Sequence, residues 1–215
     1  MTTETRADAP DTGRSLRERI LGAAFASFMQ HGYAGTSTLE IATRAKVSKR
    51  DLYSLFGSKQ AMLGECIRER ADRMRVPLHL PPPRDAETLR TTLLRFGTTL
   101  LHEMSRPEVL GTFRLAIAEA ARSPGIADIL ESYGRVQTMA KLGELMRAAQ
   151  DAGLLGPGEP EAMGGMFTAV LWGGLHIRLL MRVADPPDDA QAEARAVAAT
   201  EALLRLYPPP AVRGG

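Results

Sequence analysis

A chain of 215 residues with 44% apolar and 24% charged side chains has enough apolar sequence for one substantial core or two small ones, which excludes a disordered chain. Its formal charge of +2 is a poor argument for nucleic acid, but residues 1–75 hold 13 Lys and Arg against 9 Asp and Glu, while residues 76–215 hold 14 against 16. The basic excess is therefore local, and a single cysteine, Cys66, excludes an internal disulfide framework and fits a reducing cytoplasm.

Residues 1–14 are polar and proline-containing, without the apolar stretch of a secretory signal, and are expected to be a disordered tail whose Arg6 and Arg14 are within reach of a minor groove. Ser15 and Glu18 form a capping box opening a helix in which Leu16, Ile20, Ala24 and Phe28 recur every four residues, with Leu21, Phe25 and Met29 alongside and Gly32 closing it. Ser37 with Glu40, and Ser48 with Asp51, announce two more helix starts within about a dozen residues. Helices from about Thr38 to Ala45 and from about Lys49 to Phe56 follow, with only Lys46 and Val47 for the turn and Gly57 as the second helix's stop. This is the pattern of a helix-turn-helix. At about 100° per residue, Leu52, Leu55 and Phe56 share the packing face of the second helix, and Lys49, Arg50, Tyr53 and Ser54 the opposite one. Such a face is either solvated surface or a helix for a major groove, where Arg and Lys reach guanine O6 and N7. Asp51 is the acidic half of a capping box or an acceptor for cytosine N4.

Ser58 caps a long fourth helix through about Arg75, ended by Pro77 and the run Pro81 to Pro83; Cys66 within it reads as a small packed residue. All 14 prolines fall at termini, in linkers or in first turns, and none interrupts an apolar periodic run, so the chain reads as all-α with about nine helices. Leu89, Leu93, Phe96, Leu100 and Met104 make an apolar stripe on a helix from Asp85. Ser105 and Glu108 read as a further capping box, before a helix with Leu110, Phe113, Ile117 and Ala121 on one side. Pro124 starts a helix reaching Ala152 and stopped by Gly153. Pro160 and Asp188 open the last two, the first running to about Val183, and Pro208 to Pro210 end the structured part.

The uncharged run Ala162 to Ile177 is 16 residues long with four glycines, short of the roughly 20 apolar residues of a membrane span. Gly165, Ala169 and Gly173 form a small-residue track, and Phe167, Leu171, Leu175 and Leu179 a second apolar stripe, so this helix needs more than one neighbour. The final helix repeats Ala190, Val197 and Leu204 at seven-residue steps. These six track and repeat residues are the candidate interface of a homodimer built as a four-helix bundle, or else they close a monomer core. His31, His79, His102 and His176 are scattered without metal-ligand spacing, and no phosphate-binding Gly-rich loop or nucleophile elbow occurs. Catalysis, a metal and a cofactor therefore find no residues in this sequence.

Residues Gly32 to Met62, through Gly32-Tyr33, Thr36-Ser37, Ile41-Ala42, Val47-Ser48, Leu52-Tyr53, Phe56 and Ser58-Lys59, resemble the N-terminal signature of the TetR family of bacterial transcriptional regulators. The segment Phe113 to Leu130 is similar to one subgroup of it. The resemblance implies that Lys49, Arg50 and Tyr53 meet DNA and that Ser37, Thr38 and Lys59 hold phosphate, with Lys46, Ser48 and Ser54 beside them. Two positions depart from the pattern. Lys46 stands where the turn usually has Gly, so it is either tolerated or strained and adds an ammonium for phosphate; Leu55 replaces an aromatic or His that touches the backbone.

The chain is expected to divide into a disordered tail (1–14), a helix-turn-helix DNA-binding domain of three helices (15–57), a helical effector-binding and dimerisation domain (58–207) and a disordered end (208–215), the roles of the two domains being what the resemblance implies. Its partners would be double-stranded operator DNA, a second copy and a small apolar or amphipathic effector, with no membrane. Effector candidates, read from apolar pockets with few polar groups, are Phe96, Leu100, Met104, Phe113, Ile117, Tyr133, Trp172 and His176. The expected activity is that of a homodimeric repressor in the cytoplasm, released from its operator by that effector. The alternatives are a DNA-binding dimer without an effector and a small-molecule binding protein that has lost DNA recognition.

Overall fold

The computed structural model describes residues 15–74, 82–121, 125, 128 and 131–210, and among them it contains helices and no strand. They belong to two compact units, one ending at Cys66 and one starting at Ile67. The first holds α1 (Leu16–Gly35), α2 (Thr38–Ala45), α3 (Lys49–Phe56) and the first half of α4 (Lys59–Met74). The second holds α5 (Ala86–Met104), α6 (Pro107–Glu119), a π-helical turn (Glu131–Arg135) running into α7 (Val136–Asp151), α8 (Pro160–Trp172), α9 (Leu175–Leu180) and α10 (Asp189–Leu206). No helix of the described residues is long and apolar enough to cross a membrane. The expectations for residues 1–14 with Arg6 and Arg14, for Pro77 and Pro81, for Pro124, for the Tyr133 side chain and for residues 211–215 lie outside the described residues.

In the first unit, the Ser15 and Glu18 box closes on itself, and Ile20, Leu21, Ala24, Phe25 and Phe28 are buried. Leu16 and Met29, at the rims of that stripe, are 42% and 38% exposed. Gly32, at φ 71 and ψ 172, breaks the helix, as its freedom at positive φ allows, before one further turn to Gly35. Both motif helices take the expected bounds. Ser37 Oγ accepts from the Glu40 amide, but the reciprocal half of that box is missing, because the Glu40 carboxylate lies 3.5 Å from His31 Nε2 instead. In α3, Leu52 and Phe56 are buried, at 0% and 8%, whereas Leu55 is 46% exposed and does not pack with them. At about 100° per residue Leu55 lies roughly 60° from Leu52 on the side away from Phe56, at the rim of the buried arc.

The second unit is organised around α10, which packs along α5 and α8, while α7 packs along α8. Gly97 lets α5 and α10 meet: a Cβ there would lie 3.0 Å from Ala196 Cβ and 3.2 Å from Leu171 Cδ1. Around this contact lie Leu89, Leu93, Phe96, Met146, Phe167, Leu171, Ala199 and Leu203. Each large side chain contributes about 1.5–3 kcal/mol of transfer free energy when fully buried.

Three local expectations are corrected. Ser105 does not cap α6: it is the C-cap of α5, and α6 starts at Pro107 with Arg106 as its N-cap and no side-chain cap. Proline favours the first helical position and holds the residue before it extended, which moves the start one residue beyond the Ser105 pattern. Ile117 is 61% exposed and does not share a buried face with Leu110. The helix from Pro160 does not run on to Val183, because Gly173 and Gly174 sit at φ 45 and 82 and divide it into α8 and α9. Arg195 Nη1 donates to the carbonyls that the break frees, Leu171 O at 3.3 Å and Trp172 O at 3.1 Å. The stripe Phe167, Leu171, Leu175 and Leu179 survives the break, all four at 7% exposure or less.

Candidate nucleic-acid interface and effector region

The outward face of α3 is positioned by its own ends. Ser48 Oγ accepts from the Asp51 amide at 3.1 Å, while the Ser48 amide and hydroxyl donate to Asp51 Oδ2 at 3.3 and 2.6 Å. These bonds, the hydroxyl first, hold the Asp51 carboxyl below the usual carboxylate range, with the neighbouring Arg50 charge adding to them. The carboxylate is thus the acidic half of the box. Gly57, at φ 73, closes the helix by donating to Tyr53 O at 2.8 Å. Between these ends Lys49, Arg50, Tyr53 and Ser54 are all exposed, opposite buried Leu52 and Phe56. Three cations, Lys46, Lys49 and Arg50, therefore stand on one stretch of surface with Ser37, Ser48 and Ser54 also exposed and Thr38 half-buried.

Polar ties fix this surface to α1 and α4. Thr38 Oγ1 and Tyr53 Oη lie 3.1 Å apart, joining α2 to α3 at the end away from the turn. Arg44 donates from Nη1 to Ser27 Oγ at 3.3 Å and from Nη2 to Gln30 Oε1 at 2.8 Å. Arg19 Nη2 donates to Ala45 O at 3.0 Å and Lys46 O at 3.2 Å. Lys46 itself is left-handed, at φ 55 and ψ 50. Of the two readings of that residue the strained one holds, since the left-handed region disfavours any side chain with a Cβ. Lys59 is turned inward: Nζ donates to Tyr33 O and Thr36 O, both at 2.8 Å, and stands 4.4 Å from the Tyr33 ring centroid. Any phosphate contact from this residue must use the remaining ammonium hydrogen or its amide at the start of α4. Sequence reasoning missed Arg19 and Arg44, because a cation on a helix carries no pattern that names a carbonyl on another helix.

In the second unit, Phe96 is buried and Leu100 and Trp172 pack against the same core, with Phe96 and Phe167 rings 6.0 Å apart. His176 lies between two other candidates: its ring meets Phe113 edge-on at 5.0 Å and Trp172 at 4.9 Å with a 30° tilt. Its Nε2 is buried and has no hydrogen-bond partner, and burial pushes the imidazole below its ordinary value. Met104 is half-buried, and the exposed Ile117 is not brought into this group. Of the interface candidates, Ala169, Gly173, Ala190 and Val197 are exposed and Gly165 and Leu204 half-buried. The opposite side of α10, with Ala192, Ala196, Ala199 and Leu203, is fully buried.

A capped helix-turn-helix with a cationic outward helix, followed by a larger helical unit, is the arrangement of a DNA-binding transcriptional regulator. The chain belongs to the TetR family: the profile of "Bacterial regulatory proteins, tetR family" matches residues 20–66 and that of "AefR-like transcriptional repressor, C-terminal domain" matches residues 91–209. It is similar to the "Uncharacterized HTH-type transcriptional regulator YvkB" of Bacillus subtilis (strain 168), 24% identical over 184 residues, covering 84% of this chain and 93% of that one. Among solved structures, a TetR regulator from Agrobacterium tumefaciens is 28% identical with a TM-score of 0.75 over 90% of this chain and 95% of that one. A TetR-family regulator from Mesorhizobium loti MAFF303099 is 25% identical with a TM-score of 0.76 over 89% and 96%. The "Flavonoid-responsive Regulator FrrA", 24% identical with a TM-score of 0.79 over 92% and 98%, shares the fold.

Proposed function

We propose that this regulator is a homodimeric cytoplasmic repressor that reads a pseudo-palindromic operator with α3 and leaves it when a small apolar or amphipathic effector binds its second unit. The observation that carries the reading is the division of α3 into a buried Leu52 and Phe56 side and an exposed Lys49, Arg50 and Tyr53 side. In the major groove Arg50 and Lys49 would meet guanine edges, while Ser37, Thr38, Lys46 and the start of α4 at Lys59 would take phosphates. Two copies require half-sites separated by about one helical turn or a little more. The track of half-buried Gly165 and exposed Ala169 and Gly173, with Ala190, Val197 and Leu204, is the surface proposed to join them. The Phe113, His176 and Trp172 rings are the proposed effector contacts, His176 Nε2 supplying the single polar anchor.

Release follows if the effector binds best when the two α3 helices no longer match the half-site spacing; operator and effector must then weaken each other's binding equally. The test is fluorescence anisotropy of a duplex enriched by the protein from a random-sequence library, with Trp172 emission followed as candidate metabolites are added. Affinity should fall steeply with salt. A compound that saturates Trp172 quenching yet leaves operator affinity untouched would remove the effector mechanism and leave DNA binding standing.

A further inference from the structure

The turn of the helix-turn-helix presents an unsolved problem of hydrogen bonding that Arg19 answers. A helix ends with four carbonyls lacking intrahelical partners. At the end of α2, Ala42 O and Thr43 O accept from the Lys46 amide, and Ala42 O also from the Val47 amide at 3.0 Å. These are the bonds that a left-handed residue closes, and glycine usually supplies it. Here the residue is Lys46, at φ 55, and Ala45 O and Lys46 O lie beyond the reach of those amides. Arg19 Nη2 donates to both. Its own backbone is held beside Ile20, which is fully buried in the unit's core, and its charge complements the negative end of the α2 dipole.

We infer that Arg19 is the positioning residue of the motif: its guanidinium, in place of a glycine, holds the turn and thereby the angle at which α3 offers Lys49 and Arg50 to DNA. The inference rests on α3 being the base-reading helix. With the Thr38 to Tyr53 tie at the other end of the helix pair, it leaves α2 and α3 fastened at both ends. Lysine in place of Arg19 ends one bond nearer the backbone than Nη2 and carries its charge on a strongly hydrated ammonium, so it restores the two bonds only in part.

The test compares the full-length wild type with Arg19→Met, Arg19→Lys, Lys46→Gly and the Arg19→Met/Lys46→Gly pair, in two measurements. Without DNA, exchange of the Val47 amide should accelerate roughly tenfold in Arg19→Met, as one net hydrogen bond is lost, and return to about the wild-type rate in the pair, because glycine adopts the turn unaided. With DNA, the preference for a duplex enriched by the wild type over a scrambled duplex should fall about tenfold in Arg19→Met, less in Arg19→Lys, and recover in the pair, while scrambled-duplex affinity and its salt slope stay constant. Unchanged exchange and preference would overturn the inference. So would an equal loss on both duplexes with a shallower salt slope, which marks a direct phosphate contact, or a loss that Lys46→Gly does not repair. Should Arg19→Met fail to fold, Arg19→Lys with and without Lys46→Gly decides the same questions. If the wild type enriches no duplex, base reading by α3 falls, and Val47 exchange still decides whether Arg19 holds the turn.

Discussion

The motif unit and the larger helical unit use the same element and hold it by different forces. In the first, short helices are fastened by directional polar bonds: the Ser48 and Asp51 box, Arg19 on two carbonyls, Lys59 on two more, and Thr38 on Tyr53. In the second, α5, α8 and α10 meet through Gly97, Ala196, Leu171 and Phe167, and polar ties such as Arg195 serve where the backbone breaks. The division suits the work proposed for each. A surface that reads base edges needs its cations fixed in direction, which packing of an eight-residue helix alone cannot supply. A region that responds to an apolar ligand needs contacts that can be exchanged for others of similar energy, which directional bonds resist.

The largest effects should come from deleting the same ring in each unit. Phe28→Ala and Phe167→Ala, at 1% and 0% exposure, should each cost about 3–5 kcal/mol. The smaller motif unit has fewer buried groups to absorb that loss, so at 25 °C Phe28→Ala should abolish operator binding while Phe167→Ala chiefly lowers the melting temperature. Equal losses of DNA binding at full folding would erase the distinction between the units. Next comes Val197→Asp, on the outward side of α10 at 37% exposure. An unpaired charge buried twice in a symmetric interface should weaken the dimer by roughly 3–5 kcal/mol. Sedimentation should then show a folded monomer with little operator affinity; an intact dimer would move the interface elsewhere. Arg50→Ala should cost roughly 1–3 kcal/mol at one base position while leaving affinity for random DNA nearly constant. Equal loss on both duplexes would reassign Arg50 to the phosphates.

How far the sequence could be read follows the same division. The bounds of α2 and α3 were legible because Ser37, Ser48 and Gly57 act on amides and carbonyls three or four residues away, and such codes are local. The family pattern made Lys46 conspicuous, but not that Arg19, 27 residues earlier, donates to its carbonyl. In the second unit, apolar periodicity found the stripe from Phe167 to Leu179 and hid the break at Gly173 and Gly174, since α8 and α9 keep those residues buried on both sides of it. The carbonyl acceptor for Arg195 is 24 residues distant and leaves no trace in spacing. Ser105 and Glu108 matched a capping box in letters, and Pro107 between them decided otherwise.

A last and smaller effect separates the units by pH. In the motif unit Asp51, held below its ordinary 3.8 by Ser48, contributes stability that is present above that value and is lost only as strong acid protonates the folded carboxylate. His176 acts earlier. Its folded-state value lies below the ordinary 6.5 because burial penalises the charged ring, so on acidification the unfolded chain takes up the proton first. Stability is unaffected well above pH 6.5, declines as pH falls through about 6.5, and levels off once the folded ring is itself protonated. His176→Phe keeps a ring against Phe113 and Trp172 and removes the proton site, so that between about pH 7 and pH 5 its denaturation midpoint should fall less than that of the wild type. Every other residue is the same in both proteins, so the difference isolates His176. Because the Nε2 it loses is buried without a partner, the variant should also be at least as stable as the wild type at neutral pH. Parallel pH curves for the two proteins would show that His176 is solvated in the folded state, and with that the proposed polar anchor for an effector would lose its basis.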